Sequence, residues 1–167
     1  MSKICAFLGN DYDVILGVKN PHIPNKLLKE KIKEQIINLI ENEDVTTFFV
    51  GEIGGFEIDA YDSVIEVKQM YPHISIIQVI SKITELHRTG RDFCGIVEYR
   101  RPCDDFIYPD KCAIGYKRLS IVYRNQFIIQ HTNFIIAYNE YKGRAYNFCK
   151  QAQNKGITII ELSDKTI

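Results

Sequence analysis

The amino-acid sequence predicts an α/β fold, a three-layer sandwich in which helices cover both faces of a mainly parallel five-stranded sheet. Five short apolar segments alternate with four segments whose apolar residues recur at helical spacing. The apolar segments contain few polar positions, which is typical of strands that are buried on both faces and paired in parallel. Strands joined through helices form right-handed crossover units, and repeated units of this kind build one layered domain.

The first half of the chain contains three predicted strands and two predicted helices. The strands are expected over residues 3–8, 46–50 and 75–80. Asn25 is expected to cap the first helix, which extends from Lys26 to about Asn42. The second helix follows Gly55 and ends near Pro72, because proline cannot continue a helix.

The second half contains a long irregular segment and then a helix–strand–helix–strand series. Glycines and prolines interrupt residues 83–118, and a structureless stretch of this length is typically functional or mobile. Its aromatic and aliphatic side chains are expected either to fold over a site as a lid or to bury against another subunit. The later elements are expected over residues 119–130, 134–138, 144–154 and 158–162. Residues 1–167 therefore form a single predicted domain.

Charge and composition disfavour several classes of protein. The chain has 21 basic and 21 acidic residues. Proteins that bind nucleic acid independently of its sequence usually have an excess of basic residues, so this function is not favoured. No apolar run reaches the roughly 20 residues of a membrane span, and the first residues lack a signal-peptide layout, so we expect a cytoplasmic protein without membrane contact. Cys94, Cys103 and Cys112 are spaced more widely than the close pairs of structural zinc sites. We therefore expect reduced thiols, no metal and no cofactor.

Two glycine-bearing turns each connect the end of a predicted strand to the start of a predicted helix. The turns contain Gly51, Glu52, Gly54 and Gly55 in the first case and Asn139 and Gly143 in the second. Backbone N–H groups and the positive end of the helix dipole meet in such a turn, which favours a phosphate. Neither turn follows the dinucleotide fingerprint or the P-loop pattern. We expect both turns at one sheet edge, together with Gly9 and Asn10.

Short segments spread over most of the chain follow one recognisable order. They are Phe7–Gly9, Val50–Gly51, Gly54–Glu57, Ile107–Pro109, Arg124–Asn125 and Gly143–Ala145. Together they resemble the SLOG superfamily, named for Smf-like DNA-processing proteins and the Lonely Guy phosphoribohydrolases, and most of all a small bacterial branch of single-domain members. The branch typically has histidine and arginine where this chain has Asn10 and Asp11, and glycine where it has Arg144.

The resemblance implies a Rossmann-like fold with a nucleotide-type ligand at the glycine turns. The hydrolases of the superfamily carry a proline–glycine–glycine–x–glycine–threonine–x–x–glutamate signature. The segment from Asn139 to Phe148 has one glycine and no following glutamate, so the phosphoribohydrolase activity of those relatives is not expected to carry over.

Three charged residues are the strongest single candidates for ligand contact. Arg144 lies in the first turn of a helix, where the dipole disfavours a cation, so it is either balanced by a bound phosphate or simply solvated. Arg124 is expected either to reach a phosphate over the sheet edge or to pair with an acidic residue at the surface. Glu57 is favoured at its helix start by the dipole alone, and is alternatively an acceptor for a ribose hydroxyl.

Two further side chains offer contacts to a base. Asn125 has a donor and an acceptor for a base or ribose edge, and Tyr108 has a ring for stacking, although most tyrosines serve packing. No histidine or cysteine stands at a spacing typical of nucleophilic catalysis. The complete set of expected ligand-binding residues is Gly9, Asn10, Gly51, Glu52, Gly54, Gly55, Glu57, Tyr108, Arg124, Asn125, Asn139, Gly143 and Arg144.

These features favour a protein that binds a phosphorylated nucleotide-type ligand without catalysis, as a sensor or a sequestering protein. The ligand class includes ADP-ribose derivatives and cyclic or signalling nucleotides. The alternative is an N-glycosidic or phosphoribosyl hydrolase with Glu57 or Asp11 as the acid or base. A nucleic-acid or protein interaction module is the third hypothesis, because basic residues cluster in and after the irregular segment. These are Arg88, Arg91, Arg100, Arg101, Lys111, Lys117, Arg118 and Arg124. We expect a homo-oligomer.

Overall fold

Strands and helices alternate along the chain in the computed structural model, which describes residues 2–10, 24–51, 54–81 and 103–164. The strands within these ranges are β1 (Lys3–Gly9), β2 (Val45–Val50), β3 (Ser75–Val79), β4 (Asp105–Ile107), β5 (Phe134–Tyr138) and β6 (Thr158–Glu161). The helices are α1 (Lys26–Glu43), α2 (Gly55–Met70), α3 (Asp110–Ile114), α4 (Ser120–His131) and α5 (Arg144–Asn154). A short 3₁₀ turn, Lys117–Leu119, precedes α4.

The strands form one all-parallel sheet in the order β4-β3-β2-β1-β5-β6. This confirms the predicted α/β class and adds one strand to the five expected. The extra strand, β4, lies inside the segment predicted to be irregular and pairs with β3 at the sheet edge. The strand order reverses direction between β1 and β5. Ligands of open parallel sheets bind outside the carboxyl ends of the strands at such a switch point.

Helices cover both faces of the sheet and bury a separate apolar layer on each. The layer under α1 and α2 includes Cys5 and Phe7 of β1, and the layer under α4 and α5 includes Ala6 and Leu8. Because side chains of a strand alternate between faces, a central strand with both faces buried must be continuously apolar. This explains why the run at the start of the sequence forms a strand.

The helix boundaries follow local sequence signals. The Asn25 side chain accepts a hydrogen bond from the Leu28 N–H at 3.1 Å and caps α1, as predicted. The residues predicted for α5 form that helix over the same bounds, and Gly156 follows its end with a positive φ of 82°. None of the helices in the described ranges is long and apolar enough to span a membrane.

Candidate functional site

Buried polar side chains concentrate at the carboxyl ends of the strands. Asn10 follows β1, Gln78 lies one residue before the end of β3, and Asn139 follows β5. Glu57 in the first turn of α2 and Arg124 in α4 are also buried. A buried polar group is unfavourable unless it has a hydrogen-bond partner, so each of these side chains needs a specific reason to be there.

An ion pair between Glu57 and Arg124 joins the two helical layers. Arg124 Nη2 donates to Glu57 Oε1 at 2.7 Å, and Nη1 donates to Oε2 at 3.3 Å. Arg124 Nε and Nη2 also donate to Asn125 Oδ1, at 3.1 and 2.9 Å. The side chains of the pair are only 4% and 10% exposed. Arg124 therefore pairs with an acidic residue, which was one of its two expected roles, but the pair is buried instead of lying at the surface.

The Glu57 carboxylate lies against Gly51, in the turn that was expected to hold a phosphate. A Cβ atom added at Gly51 would be 2.1 Å from Glu57 Oε2, so only glycine leaves room for this carboxylate. Gly54 at the start of α2 has a positive φ of 96° and Gly55 is buried, while Glu52 lies outside the described residues. The first glycine turn thus already has an anionic group of the chain beside it.

Asn10 fixes the second glycine turn across the switch point of the sheet. Its Oδ1 accepts hydrogen bonds from the backbone N–H groups of Glu140 and Tyr141, at 2.6 and 3.1 Å. Its own N–H donates to the carbonyl of Tyr138 at 2.8 Å. A Cβ atom at Gly143 would come within 2.7 Å of the Tyr141 ring. Asn10 therefore shapes this turn, whereas Asp11 lies outside the described residues.

Asn139 is the most deeply buried polar residue of the second turn. Its backbone N–H and its Nδ2 group donate to the Glu161 carboxylate at 2.9 and 2.8 Å. Its Oδ1 atom has no hydrogen-bond partner among the described residues. Asn139 Nδ2 also approaches Cys149 Sγ at 3.6 Å, and burial raises the pKa of that thiol to about 11. Cys149 is therefore a neutral thiol near pH 7 and a poor nucleophile.

Phe56 connects the two turns. Its ring fills the space beside Gly9, where a Cβ atom would come within 2.4 Å of Phe56 Cδ1. The same ring stacks on Tyr138 with 5.9 Å between centroids. Burial, and then the hydrogen bond to Glu140, raise the pKa of Tyr138 to about 12. Gly9 is thus explained by aromatic packing between β1 and α2.

Two of the expected ligand-binding residues join neither the Glu57–Arg124 pair nor the cluster around Asn10. Arg144 is exposed at the start of α5 and makes no ion pair within the described part of the chain. The Tyr108 hydroxyl donates to the Cys112 carbonyl at 3.1 Å, in the corner between β4 and α3. The structure therefore brings Gly51, Glu57, Arg124 and Asn125 together, and separately Asn10, Asn139 and Gly143. The basic residues predicted between 88 and 101 lie outside the described residues.

Sequence reasoning missed two polar residues of this edge. Gln78 is 5% exposed and pairs in register with Val50, and its side chain makes no hydrogen bond within the described ranges. Glu161 binds Asn139 from the end of β6. The signal for both was a single polar residue inside an apolar run, SIIQVI for Gln78 and TIIEL for Glu161. A polar interruption near the carboxyl end of a buried parallel strand predicts a site at that edge.

A surface cavity of about 890 Å³ lies along α1 and the ends of β5 and β6. Its lining includes Leu27, Met70, Tyr138 and Leu162, together with several charged residues of α1, and includes none of the expected ligand-binding residues. Ligand sites are mostly apolar clefts with a few convergent polar groups. Because solvated charges of both signs line this cavity, the buried polar edge is the better candidate site.

The fold and the site define a class, an all-parallel α/β domain with a buried polar site at the carboxyl edge of its sheet. No group of three or more histidine, cysteine or acidic residues in the described ranges is placed to hold a metal ion. No protein-family model matches the chain, and a search of curated proteins finds no match. The resemblance to the SLOG superfamily therefore stays a prediction.

Proposed function

We propose that this protein binds a phosphorylated nucleotide-type ligand at the carboxyl edge of its sheet and does so without catalysis. One observation carries the proposal: buried polar side chains gather at the strand ends beside the switch point, including an ion pair that crosses from one helical layer to the other. Parallel α/β sheets bind their ligands at this place. The ligand class extends to ADP-ribose derivatives and signalling nucleotides.

Unfilled hydrogen-bonding capacity at this edge supports a polar ligand. The amide of Gln78, the Nδ2 group of Asn125 and the Oδ1 atom of Asn139 make no hydrogen bond to the described part of the chain. Together they offer donors and acceptors within a largely buried environment. In a purely structural cluster such groups are usually satisfied within the protein. A ribose or a base supplies hydroxyl, amino and ring nitrogen groups that complement both kinds of partner.

The state of the acidic groups supports binding over hydrolysis. Glu57 is the acidic residue expected to act in an enzyme, and its two carboxylate oxygens accept from the Arg124 guanidinium. A general base needs to reach a proton of the substrate, and both carboxylate oxygens of Glu57 are instead in contact with the guanidinium. The proposal also includes SLOG membership, a cytoplasmic location and a homo-oligomer. Large exposed apolar side chains at Leu27, Ile114 and Tyr116 are consistent with an oligomer.

Native mass spectrometry of the purified protein, followed by denaturing release of bound molecules, tests the proposal directly. We expect a bound nucleotide, and the native mass gives the number of subunits. Isothermal titration calorimetry with AMP, ADP-ribose and 3′,5′-cyclic AMP then gives relative affinities. Absence of any bound or titratable nucleotide contradicts the proposal.

A matched pair of variants assigns the binding to this edge. Gln78→Met keeps the side-chain volume and removes the buried amide, whereas Gln130→Met makes the same change at an exposed position near the end of α4. Loss of one hydrogen bond predicts an affinity decrease of about 2- to 12-fold for Gln78→Met and no change for Gln130→Met. Equal affinities in the two variants would place the ligand elsewhere.

The hydrolase alternative is tested by incubating the protein with the ligand identified in these experiments. Intact ligand after prolonged incubation supports binding, and release of a base or a ribose phosphate supports hydrolysis. Glu57→Gln would then abolish turnover while the ligand still binds.

A further inference from the structure

The Glu57 carboxylate occupies the position that an anionic ligand group would take. It lies beside Gly51, at the start of α2, and in bidentate contact with Arg124. The start of a helix favours negative charge, and a guanidinium fork binds carboxylate and phosphate with the same geometry. The chain thus presents a phosphate-binding arrangement with one of its own carboxylates in place.

We infer that Glu57 is a displaceable internal anion, and that the ligand that replaces it on Arg124 carries a terminal phosphomonoester or pyrophosphate instead of a phosphodiester. The inference rests on the proposed function and narrows its ligand class. It assigns Arg124 as the phosphate-binding residue and Glu57 as its competitor.

The charge of the two anions decides which ligand can make the exchange. A carboxylate and a phosphodiester each carry one negative charge, so replacing one by the other gains little electrostatic attraction to Arg124. A phosphomonoester carries between about 1.5 and 2 negative charges near pH 7, so its attraction to the same guanidinium is greater. Arg124 and Glu57 are almost fully buried, which reduces screening by solvent and enlarges this difference.

Asn125 is placed to keep the guanidinium oriented during the exchange. Its Oδ1 accepts from Arg124 Nε and Nη2, while Glu57 accepts from Nη1 and Nη2. The hydrogen bond from Nε does not depend on Glu57. Departure of the carboxylate therefore leaves Arg124 held by its neighbour in α4, with its fork directed to the same place.

Phosphorus-31 NMR titrations with inorganic phosphate and dimethyl phosphate at pH 8 test the inference without knowledge of the complete ligand. Dimethyl phosphate is a diester with a single charge. We expect the unmodified protein to bind phosphate about tenfold more tightly than dimethyl phosphate. Glu57→Gln should bind both probes about tenfold more tightly than the unmodified protein, because both are freed of the same competitor, and the preference for phosphate should stay about tenfold.

Glu66→Gln is the matched control, because Glu66 lies on the same helix and loses the same charge. Glu66 pairs with Lys29 and Lys33 on α1, away from Arg124. Substitution of Glu66 should leave the affinities for phosphate and for dimethyl phosphate unchanged. Equal gains in phosphate affinity in Glu57→Gln and Glu66→Gln would show that the change in net charge alone explains the effect, and would overturn the inference.

Folding of the variants is controlled by a charge-neutral double substitution. Glu57→Gln takes the Glu57 carboxylate away from the buried Arg124. Phosphate should therefore raise the thermal midpoint of this variant, and by more than it raises the midpoint of the unmodified protein. The double variant Glu57→Gln with Arg124→Gln lacks both charges of the pair, and should neither bind phosphate nor gain stability from it. Unchanged phosphate binding in the double variant contradicts the inference.

The proposed function and this inference fail in different ways. If AMP binds the unmodified protein and binds Glu57→Gln more weakly, Glu57 contacts the ligand, so the inference fails and the function stands. If no nucleotide binds the unmodified protein but phosphate affinity rises in Glu57→Gln, the function fails and the internal anion stands.

Discussion

Replacement of Gly51 by alanine should disrupt the ion pair between the two helical layers. A Cβ atom there would lie 2.1 Å from Glu57 Oε2 and 2.2 Å from Cδ, so the carboxylate has to move by about 1 Å to reach ordinary contact distance. That movement lengthens the 2.7 Å hydrogen bond to Arg124 Nη2. Overpacking typically costs about 1–3 kcal/mol, and breaking a buried pair costs about 3–5 kcal/mol. Because the variant strains the pair but keeps both partners, we expect the free energy of unfolding to fall by about 2–4 kcal/mol.

Urea unfolding, monitored by circular dichroism, measures this fall in the free energy of unfolding. The thermal midpoint should fall by about 4–16 °C. Gly143→Ala is the control, because its Cβ would meet the ring of Tyr141, which is 53% exposed and can turn aside. That control should lose less than about 1 kcal/mol. In a protein that also carries Glu57→Ala and Arg124→Met, the pair is absent. There Gly51→Ala should lower the free energy of unfolding by less than about 1 kcal/mol. An undiminished loss in that background would refute the steric explanation.

Three further predictions concern stability. Asn25→Ala removes the hydrogen bond to the Leu28 N–H and should cost about 1 kcal/mol in urea unfolding. Gln78→Met replaces a polar side chain that is 5% exposed and makes no hydrogen bond in the described ranges by an apolar one of similar size, so it should raise the free energy of unfolding by up to about 1 kcal/mol; a decrease would show that the amide is satisfied in solution. The pKa of Cys149 is raised from 9.0 to about 11 in the folded chain. The contribution of this thiol to the free energy of unfolding is therefore fully present below pH 9, and about 2–3 kcal/mol of it is lost as the pH rises to 11. Urea unfolding under reducing conditions at pH 8 and pH 11 should show a smaller fall for Cys149→Ala; equal falls would contradict the assignment.

The sequence predicted the sheet well where strands are long and buried on both sides. Runs such as KICAFL and FIIAY have no polar face, and they form β1 and β5 at the centre of the sheet. β4 escaped prediction because it has three residues, of which Asp105 and Phe106 are exposed. An edge strand of this length is held by its pairing with β3, and a pairing between distant segments leaves no local pattern in the sequence.

The sequence predicted a site at the carboxyl edge of the sheet, and the structure shows buried polar side chains there, in contacts that were only partly expected. Glycines between strands and helices indicated this edge, because turn chemistry is local. The partners of those turns are not local: Glu57 and Arg124 are 67 residues apart, and Asn10 and Glu140 are 130 residues apart. Sequence reasoning assigned both turns to an external anion. The structure instead has the Glu57 carboxylate beside the first turn and the Asn10 amide oxygen on the N–H groups of the second.

The pairing of β1 with β5, which brings Asn10 to the second turn, also affects the order of assembly during synthesis. β1 emerges from the ribosome first, but its neighbour β5 begins at residue 134, with Cys5 paired to Phe134. At typical translation speeds the open side of β1 waits on the order of ten seconds for this neighbour. An uncovered strand edge is prone to pair with other chains. Nascent chains truncated before β5 should therefore aggregate and lack the second turn, and the carboxyl edge of the sheet should be complete only when about the last fifth of the chain is available.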